Sequence, residues 1–223
     1  MAELLTEGIR YRFGRQRVLD GVDLQAGPGQ CVVLFGANGS GKSTLLSILA
    51  TRYRLREGRY VLNGLDVTAG QGEAARGELM LLGHHTHLYG HLDALENMRF
   101  FCDLRGLSVA PESIESAVES VGLGRYCRRP VRGFSAGMRK RLALARVQLA
   151  APSLLLLDEP YSALDAAGVV WLNAMLTTFL ADGGTVVMAS HDPERVAALV
   201  HVPYHLEAGR LVARQAGQGK PAC

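Results

Sequence analysis

The 223-residue sequence lacks the marks of several protein classes. No uninterrupted apolar run approaches the roughly 20 residues that a membrane-spanning helix needs. The four cysteines are scattered without C-x-x-C spacing, which argues against a disulfide framework and against a zinc site. The first residues show neither the basic nor the apolar region of a signal peptide. We therefore expect a cytoplasmic chain unless a partner brings it to a membrane.

Charge of either sign is not in large excess. The sequence has 24 Lys and Arg against 21 Asp and Glu, so its formal net charge is +3. This bias does not by itself indicate nucleic-acid binding, and we interpret the basic residues between 125 and 141 as a solvated helix face. With 48% hydrophobic and 20% charged residues, the composition is that of a globular protein.

The hydrophobic pattern is typical of an α/β fold. Residues 9–24 predict two antiparallel strands, and the apolar residues 30–35 predict a buried strand. From residue 94 to residue 150 the apolar positions recur at helical spacing, which predicts a helical insertion. The apolar runs 154–157 and 185–189 then predict parallel strands that are buried on both faces. A further hairpin is expected at Asn63-Gly64 and a helix at about 167–180.

A glycine-rich loop lies between the strand at 30–35 and a helical run. Its residues match G-x-x-x-x-G-K-[S/T], a pattern whose backbone N–H groups close around phosphate oxygens at a helix N-terminus. Lys42 is expected to reach the β- and γ-phosphates, and Ser43 is expected to bind Mg²⁺. A glycine turn with a surface lysine is the plainer alternative. The residues expected at the nucleotide are Gly36, Asn38, Gly39, Ser40, Gly41, Lys42, Ser43 and Thr44.

Two acids and a histidine follow the predicted parallel strands. Asp158 is placed to hold Mg²⁺ through water, and Glu159 to accept a proton from, or to orient, the water that attacks the γ-phosphoryl group. His191 follows the next strand, and neighbouring parallel strands end at the same edge of a sheet. We therefore interpret His191 as a γ-phosphate contact rather than as a helix cap, and Glu159 as more than a cap of the next helix.

A second small-residue turn precedes the helix that starts near residue 136. It resembles another anion-binding helix N-terminus. Two interpretations stay open from the residues alone. Either Ser135 is an ordinary N-cap, or Ser135 and Gly137 serve a phosphate, on a second subunit.

Together these motifs resemble the ATP-binding cassette (ABC) ATPases, and the resemblance extends over nearly the whole chain. It implies a P-loop NTPase fold with an antiparallel β subdomain and an inserted α-helical subdomain. It also implies one ATP-binding domain over residues 1–215, followed by a polar tail at 216–223. In that domain the RecA-like core is expected at about 1–85 and 152–215, and the helical subdomain at about 86–151.

The resemblance also implies roles for individual residues. Phe13 stands where the family has an aromatic residue stacked on adenine. Residues 162–165 match the D-loop, which ends at Asp165, and His191 is the switch histidine. Ser135 and Gly137 match the signature loop, although Ala136 and Met138 replace its usual Gly and Gln. The family implies a head-to-tail homodimer in which the signature loop of one subunit closes over ATP held by the phosphate loop of the other.

His85 stands where the family has the Q-loop glutamine. A neutral imidazole accepts a hydrogen bond from water or binds a metal, and its protonation near pH 6.5 would make Mg²⁺ coordination and coupling pH-sensitive. His84, His87 and His91 lie in the same segment. Clustered histidines also bind transition metals or haem. We interpret the segment as a loop that contacts a partner.

Residues 82–100, the Ser-Ala-Gly signature and the short length are similar to the ATPases of haem exporters in cytochrome c maturation. This similarity implies a peripheral subunit on the cytoplasmic face of a bacterial inner membrane, acting with a CcmB-like permease and a CcmC-like haem-handling subunit. Another small ABC exporter would use the same motifs. A soluble, non-transport ABC protein is a further alternative, as is a module that binds ATP without hydrolysing it, which Glu159 opposes.

Overall fold

A computed structural model of the protein describes residues 3–83 and 85–213. The expected tail at 216–223 and His84 lie outside these ranges. The strands are β1 (Leu4–Phe13), β2 (Gln16–Ala26), β3 (Cys31–Phe35), β4 (Glu57–Leu62), β5 (Leu65–Asp66), β6 (Leu79–Leu82), β7 (Leu154–Asp158), β8 (Thr185–Ala189), β9 (Val202–Glu207) and β10 (Arg210–Ala213). The helices are α1 (Lys42–Leu49), α2 (Gly72–Gly77), α3 (Ala94–Leu104), α4 (Pro111–Ser120), α5 (Ala136–Ala150), α6 (Ala166–Ala181) and α7 (Pro193–Val196).

The first sheet is antiparallel and has the order β2-β1-β4-β5. Its strands alternate buried and exposed side chains because one face packs on the core. The predicted hairpin at Asn63-Gly64 is present. Both residues have positive φ, as the tight turn between β4 and β5 requires.

The second sheet has the order β10-β9-β3-β8-β7-β6. Strands β3, β7 and β8 run parallel, as predicted, and every one of their residues is buried. A parallel strand that is covered on both faces needs this continuous apolar sequence. The carboxyl ends of these three strands therefore meet at one edge of the sheet, where the chain continues into the glycine-rich loop, Glu159 and Ser190.

Two compact units divide the chain. Of the described residues, the first contains 3–81, 153–160 and 172–213, and the second contains 82–83, 85–152 and 161–171. The first unit encloses a core formed by β-strand residues together with Leu45, Leu46, Ile48 and Leu49 of α1. None of the helices in the two described ranges combines the length and hydropathy of a membrane span.

The second unit is helical. Helices α3, α4 and α5 share a core that includes Leu95, Ile114 and Leu142, and Trp171 packs against it. This contact explains why residues 161–171, which the sequence placed with the core domain, belong to the helical unit. Helix α3 begins with a capping box in which Asp93 and Glu96 each accept a hydrogen bond from the other's backbone N–H.

Candidate functional site

The glycine-rich loop leaves β3 and enters α1 through backbone conformations that glycine supplies. Gly36 and Gly41 have φ of 144° and 109°. A Cβ atom on Gly36 would lie 2.6 Å from the carbonyl oxygen of Leu206, and one on Gly41 would lie 3.1 Å from Val18. Side chains at these two positions would therefore collide with the sheet or distort the loop.

Lys42 is the first residue of α1, and its side chain folds back over the loop. Its Nζ donates hydrogen bonds to the carbonyl oxygens of Gly36 at 2.8 Å and Ala37 at 3.0 Å. The side chain is buried, with 7% of its surface exposed. The ammonium group is thus held inside the loop, where it can exchange carbonyl oxygens for phosphate oxygens.

The loop fits a phosphate group. The first N–H groups of a helix have no acceptor within the helix, and α1 has no side-chain cap. The Ser40 hydroxyl is buried and has no hydrogen-bond partner among the described residues. A buried hydroxyl without a partner, a lysine and free helix N–H groups together match the acceptor oxygens of a polyphosphate. Of the other predicted contacts, Asn38 and Ser43 are exposed and Thr44 is half-buried.

The two acids lie where the sequence predicted them, at the carboxyl end of β7. Asp158 is the last strand residue and is buried, with 8% exposed. Glu159 follows with φ of 50°, a left-handed conformation that is unfavourable for a residue with a Cβ atom. Its backbone N–H donates to the carbonyl oxygen of Ala189 at 3.1 Å, which holds this conformation against β8.

Glu159 and His191 form a pair that the sequence did not predict. His191 Nδ1 lies 2.8 Å from Glu159 Oε2. The Glu159 side chain is 15% exposed, whereas that of His191 is 72% exposed. The histidine therefore orients the carboxylate from the solvent side. The expected contact of His191 with a γ-phosphate stays a prediction.

Ser135, Gly137 and Asp165 all belong to the helical unit. The Ser135 hydroxyl accepts a hydrogen bond from the Met138 N–H at 3.2 Å, so Ser135 is the N-cap of α5. A Cβ atom on Gly137 would lie 3.1 Å from the carbonyl oxygen of Ala163, in the predicted D-loop. The Asp165 Oδ1 accepts from the Gly168 N–H at 2.8 Å.

Arg146 binds the histidine segment, residues 85–91, through two hydrogen bonds. This contact was not predicted from the sequence. The Arg146 guanidinium donates to the carbonyl oxygens of Thr86 and His87, both at 2.9 Å, and lies 5.2 Å from the centre of the Phe101 ring. Burial lowers the pKa of Arg146 to about 10. His87 has φ of 49°. A basic residue among the apolar positions of α5 was the available signal for this contact.

His85 lies in the same segment and is exposed. Its ring centre is 6.2 Å from that of His87. Within residues 3–83 and 85–213, no three His, Cys, Asp or Glu side chains come close enough to hold a metal ion. The roles of His85 at a nucleotide or a metal stay predictions.

The structure thus gathers Lys42, Asp158, Glu159 and His191 in the first unit, at the loop and at the strand ends. A sequence profile of the family described as ABC transporter matches residues 19–162, which include most of these residues. The chain belongs to the ABC transporter family. It is an ATP-binding, ATP-hydrolysing subunit of that family, as its motifs predicted.

Relatives of this ABC ATPase are named "Cytochrome c biogenesis ATP-binding export protein CcmA". The protein from Bordetella parapertussis is 41% identical over 85% of this chain and 83% of its own length. The one from Methylococcus capsulatus is 37% identical over 85% of this chain and 91% of its own length. The one from Cupriavidus necator is 36% identical over 84% and 82%.

Solved structures support the fold. An ATP-binding subunit of an ABC transporter superposes with a TM-score of 0.87, at 24% identity over 96% of this chain and 90% of the other. A nucleotide-free ATP-binding cassette superposes with a TM-score of 0.83, at 22% identity over 96% and 90%. The predicted P-loop ABC fold is therefore confirmed.

Proposed function

We propose that this ABC ATPase powers an exporter of cytochrome c biogenesis, most similar to the haem exporter of cytochrome c maturation. The observation that carries the proposal is the similarity to the CcmA proteins over 84–85% of the chain. The catalytic part of the proposal rests on geometry. A buried lysine in the phosphate loop that follows β3, and a carboxylate and a histidine that follow the paired strands β7 and β8, lie at the same edge of the sheet.

The hydrolytic step uses residues of the first unit. Lys42 transfers its hydrogen bonds from the loop carbonyls to β- and γ-phosphate oxygens of ATP, whose base stacks on Phe13. Mg²⁺ suits the oxygen ligands that Ser43 and Asp158 offer, and it would neutralise charge on the phosphates. Glu159 orients the attacking water and accepts its proton. His191 holds the Glu159 carboxylate and extends toward the γ-phosphate.

A second copy of the chain completes the site in this proposal. Ser135 and Gly137 start α5, whose N-terminal N–H groups suit an anion. They lie in a different compact unit from Lys42. In a head-to-tail dimer each signature loop and each Asp165 would face ATP held by the partner copy, so that closure of the dimer follows binding and hydrolysis reopens it.

An integral membrane permease, CcmB-like, is the proposed partner, together with a CcmC-like haem-handling subunit. The helical unit exposes large apolar side chains of the histidine segment and of α3: Tyr89 is 52%, Phe100 36% and Leu104 70% exposed. The Tyr89 and Phe100 rings touch edge to face with centres 4.7 Å apart. Such a surface suits a partner protein. The chain would then lie peripherally on the cytoplasmic face of the inner membrane.

Replacing Glu159 and Lys42 tests the catalytic assignment. We expect Glu159→Gln to keep ATP binding and to lose at least about a hundredfold in turnover, because the general base is removed. Lys42→Ala should instead lose nucleotide affinity. Fluorescent-nucleotide binding and phosphate release distinguish the two effects. A Glu159→Gln protein that hydrolyses ATP at the wild-type rate contradicts the assignment.

The identity of the exporter is tested separately. We expect a CcmB-like permease to co-purify with the tagged chain from membranes and to raise its ATPase rate. Recovery of a permease from an unrelated exporter would support the assignment as a transporter ATPase and contradict the proposed substrate. Tyr89→Asp and Leu104→Asp should release the permease while the isolated chain keeps its basal ATPase rate.

His85 is proposed to act at the Q-loop position, where a histidine, unlike the family's glutamine, is a side chain that can carry a proton. We expect His85→Gln to flatten the pH dependence of the ATPase rate. Because the exposed side chain is replaced by a neutral one of similar length, folding should be unaffected. An unchanged pH–rate profile in the variant contradicts a role for His85.

A further inference from the structure

Three aromatic rings meet in the first unit. Tyr11 and Phe13 lie near the end of β1, and Tyr53 lies in the turn that follows α1. The Tyr11 and Tyr53 rings are stacked, with centres 5.5 Å apart and planes 15° apart. The plane of the Phe13 ring is nearly perpendicular to both, at 80° and 89°, and its centre lies 5.2 Å from that of Tyr11 and 5.7 Å from that of Tyr53. Each ring therefore contacts the other two.

The cluster is on the surface. Phe13 is 47% exposed and Tyr53 is 37% exposed, whereas Tyr11 packs against the hydrophobic core. Aromatic residues make up only 6% of this sequence, yet three of them share this place. An exposed ring face is a surface on which a planar ligand can stack.

The elements that carry the rings also reach the phosphate loop. Phe13 pairs with Gln16 across the turn between β1 and β2. Two residues further along β2, Val18 packs against Gly41, whose Cβ position would lie 3.1 Å from it. Tyr53 follows α1, the helix that Lys42 begins. Strand β2 and helix α1 therefore each connect the ring cluster to the phosphate loop.

We propose that Tyr53 is a positioning residue for nucleobase binding, which fixes the Phe13 ring so that a base stacks on it. The inference rests on the proposed function, in which Phe13 receives the base of ATP. Phe13 is the last residue of β1 and is half exposed, so its ring would otherwise have rotameric freedom to lose on binding. The edge contacts with Tyr11 and Tyr53 remove that freedom beforehand.

Tyr53 is the informative position of the two tyrosines. Tyr11 sits within the sheet and belongs to the core, so its loss would disturb the fold. Tyr53 lies in a turn and is partly exposed. A Tyr53→Leu variant keeps an apolar side chain on Tyr11 but removes the flat ring beside Phe13. A Tyr53→Phe variant keeps the ring and removes only the hydroxyl.

The experiment compares a ligand that has a base with one that lacks it. KM for ATP, kcat, the Kd of a ribose-labelled fluorescent ATP and the Ki of magnesium tripolyphosphate are measured for the wild type and both variants. We expect Tyr53→Leu to raise KM for ATP and the Kd of the fluorescent ATP about three- to tenfold. The kcat and the Ki of tripolyphosphate should stay within about twofold, since Lys42 and Glu159 are untouched. Tyr53→Phe should restore the wild-type constants.

Tyr53→Phe is the matched control, because it changes the same position and keeps the ring beside Phe13. Wild-type constants for Tyr53→Leu would overturn the inference. Equal weakening of ATP and tripolyphosphate would also overturn it, since the effect would then act on the loop and not on the base. A wild-type protein that neither binds nor hydrolyses ATP would instead contradict the proposed function itself.

Discussion

At the scale of single residues, the carboxylate that we propose as the general base is held in a conformation that its neighbours must maintain. Glu159 has φ of 50°, and a left-handed residue with a Cβ atom costs about 1–3 kcal/mol. The bond from its N–H to Ala189 and the 2.8 Å contact with His191 oppose this cost. Strain of this kind is concentrated at functional sites because geometry there is selected for chemistry.

Arg146 is expected to stabilise the helical unit through its two bonds to the histidine segment. Arg146→Lys replaces the two guanidinium nitrogens that bond the carbonyl oxygens of Thr86 and His87 with one nitrogen on a shorter side chain, which cannot reproduce the geometry of both bonds. We predict a loss of about 1.5–3 kcal/mol in the free energy of unfolding, measured by urea titration. Arg99→Lys on the exposed face of α3 is the control and should change stability by less than about 0.5 kcal/mol.

An Arg146→Lys protein as stable as the wild type would contradict a stabilising role for the two guanidinium bonds. The position also illustrates what the sequence could not reveal. The segment 85–91 predicts a loop, but its bonding to Arg146 joins residues about 60 positions apart. Such a long-range contact depends on how α5 is rotated about its axis, and hydrophobic spacing does not fix that rotation to the accuracy of a hydrogen bond.

At the scale of secondary-structure elements, most of the architecture could be predicted. Strands β3, β7 and β8 follow from continuous apolar runs, because a strand covered on both faces has no solvent side. Strand β6 was missed. It has four residues at the edge of the sheet, and a run so short does not distinguish strand from helix. The strand Leu4–Phe13 is also longer than residues 9–13, because a bulge interrupts its alternation.

The hairpin of β4 and β5 is predicted to lose stability in acid. The hydrogen bonds from Thr68, Arg59 and the Ala69 N–H lower the pKa of Asp66 to about 2. A carboxylate whose pKa is lower in the folded state stabilises the fold above its unfolded pKa of about 3.9, and that contribution disappears as the pH falls toward about 2. Asp66→Asn should therefore lower the melting temperature at pH 7, and its difference from the wild type should shrink as the pH falls and vanish below about pH 2.

Asp182→Asn serves as the comparison in that titration, because Asp182 is exposed at the end of α6. The melting temperature of the Asp182→Asn protein should equal that of the wild type at every pH of the titration. If Asp66→Asn follows the wild type at pH 7 as well, the contacts of Asp66 with Arg59 and Thr68 do not stabilise the hairpin.

The candidate site was predicted unevenly for a physical reason. The loop from Gly36 to Thr44 could be recognised because each glycine is required by backbone geometry, which is written locally in the sequence. The pairing of Glu159 with His191 could not, since it depends on side-chain directions at the ends of two different strands. Ser135 is the intermediate case, in which the N-cap is confirmed and the phosphate contact remains proposed.

At the scale of the whole molecule, the residues predicted to bind the nucleotide are divided between two compact units. Lys42, Glu159 and His191 belong to the first unit, while Ser135 and Gly137 belong to the second. Each unit has its own hydrophobic core. Each unit can therefore keep its own fold when two copies of the chain associate and separate, as the proposed dimer requires.

Mixing two inactive variants tests the head-to-tail dimer. Lys42→Ala disables the phosphate loop and Ser135→Arg disables the signature loop, so each variant alone should be inactive. A mixed dimer joins the intact Lys42 of one subunit to the intact Ser135 of the other at one of its two sites. We predict that co-expression restores ATPase activity to about a quarter of the wild-type rate if the sites act independently.

No restoration in the mixed sample, with dimers present by light scattering, would contradict a site shared between subunits. Activity of Ser135→Arg alone at the wild-type rate would contradict it as well. The double variant carrying both changes on one chain, mixed with itself, is the control and should remain inactive.

The hydrogen bonds of Lys42 have a consequence for the phosphate loop between one turnover and the next. The Lys42 ammonium group is bonded to the neutral carbonyl oxygens of Gly36 and Ala37, and the phosphate oxygens of an arriving nucleotide would replace them with negatively charged acceptors. Hydrogen bonds between charged groups are stronger than those to neutral acceptors, so the exchange favours the bound nucleotide. After product release, Lys42 would therefore keep the carbonyl oxygens of Gly36 and Ala37 as hydrogen-bond acceptors until the next ATP binds.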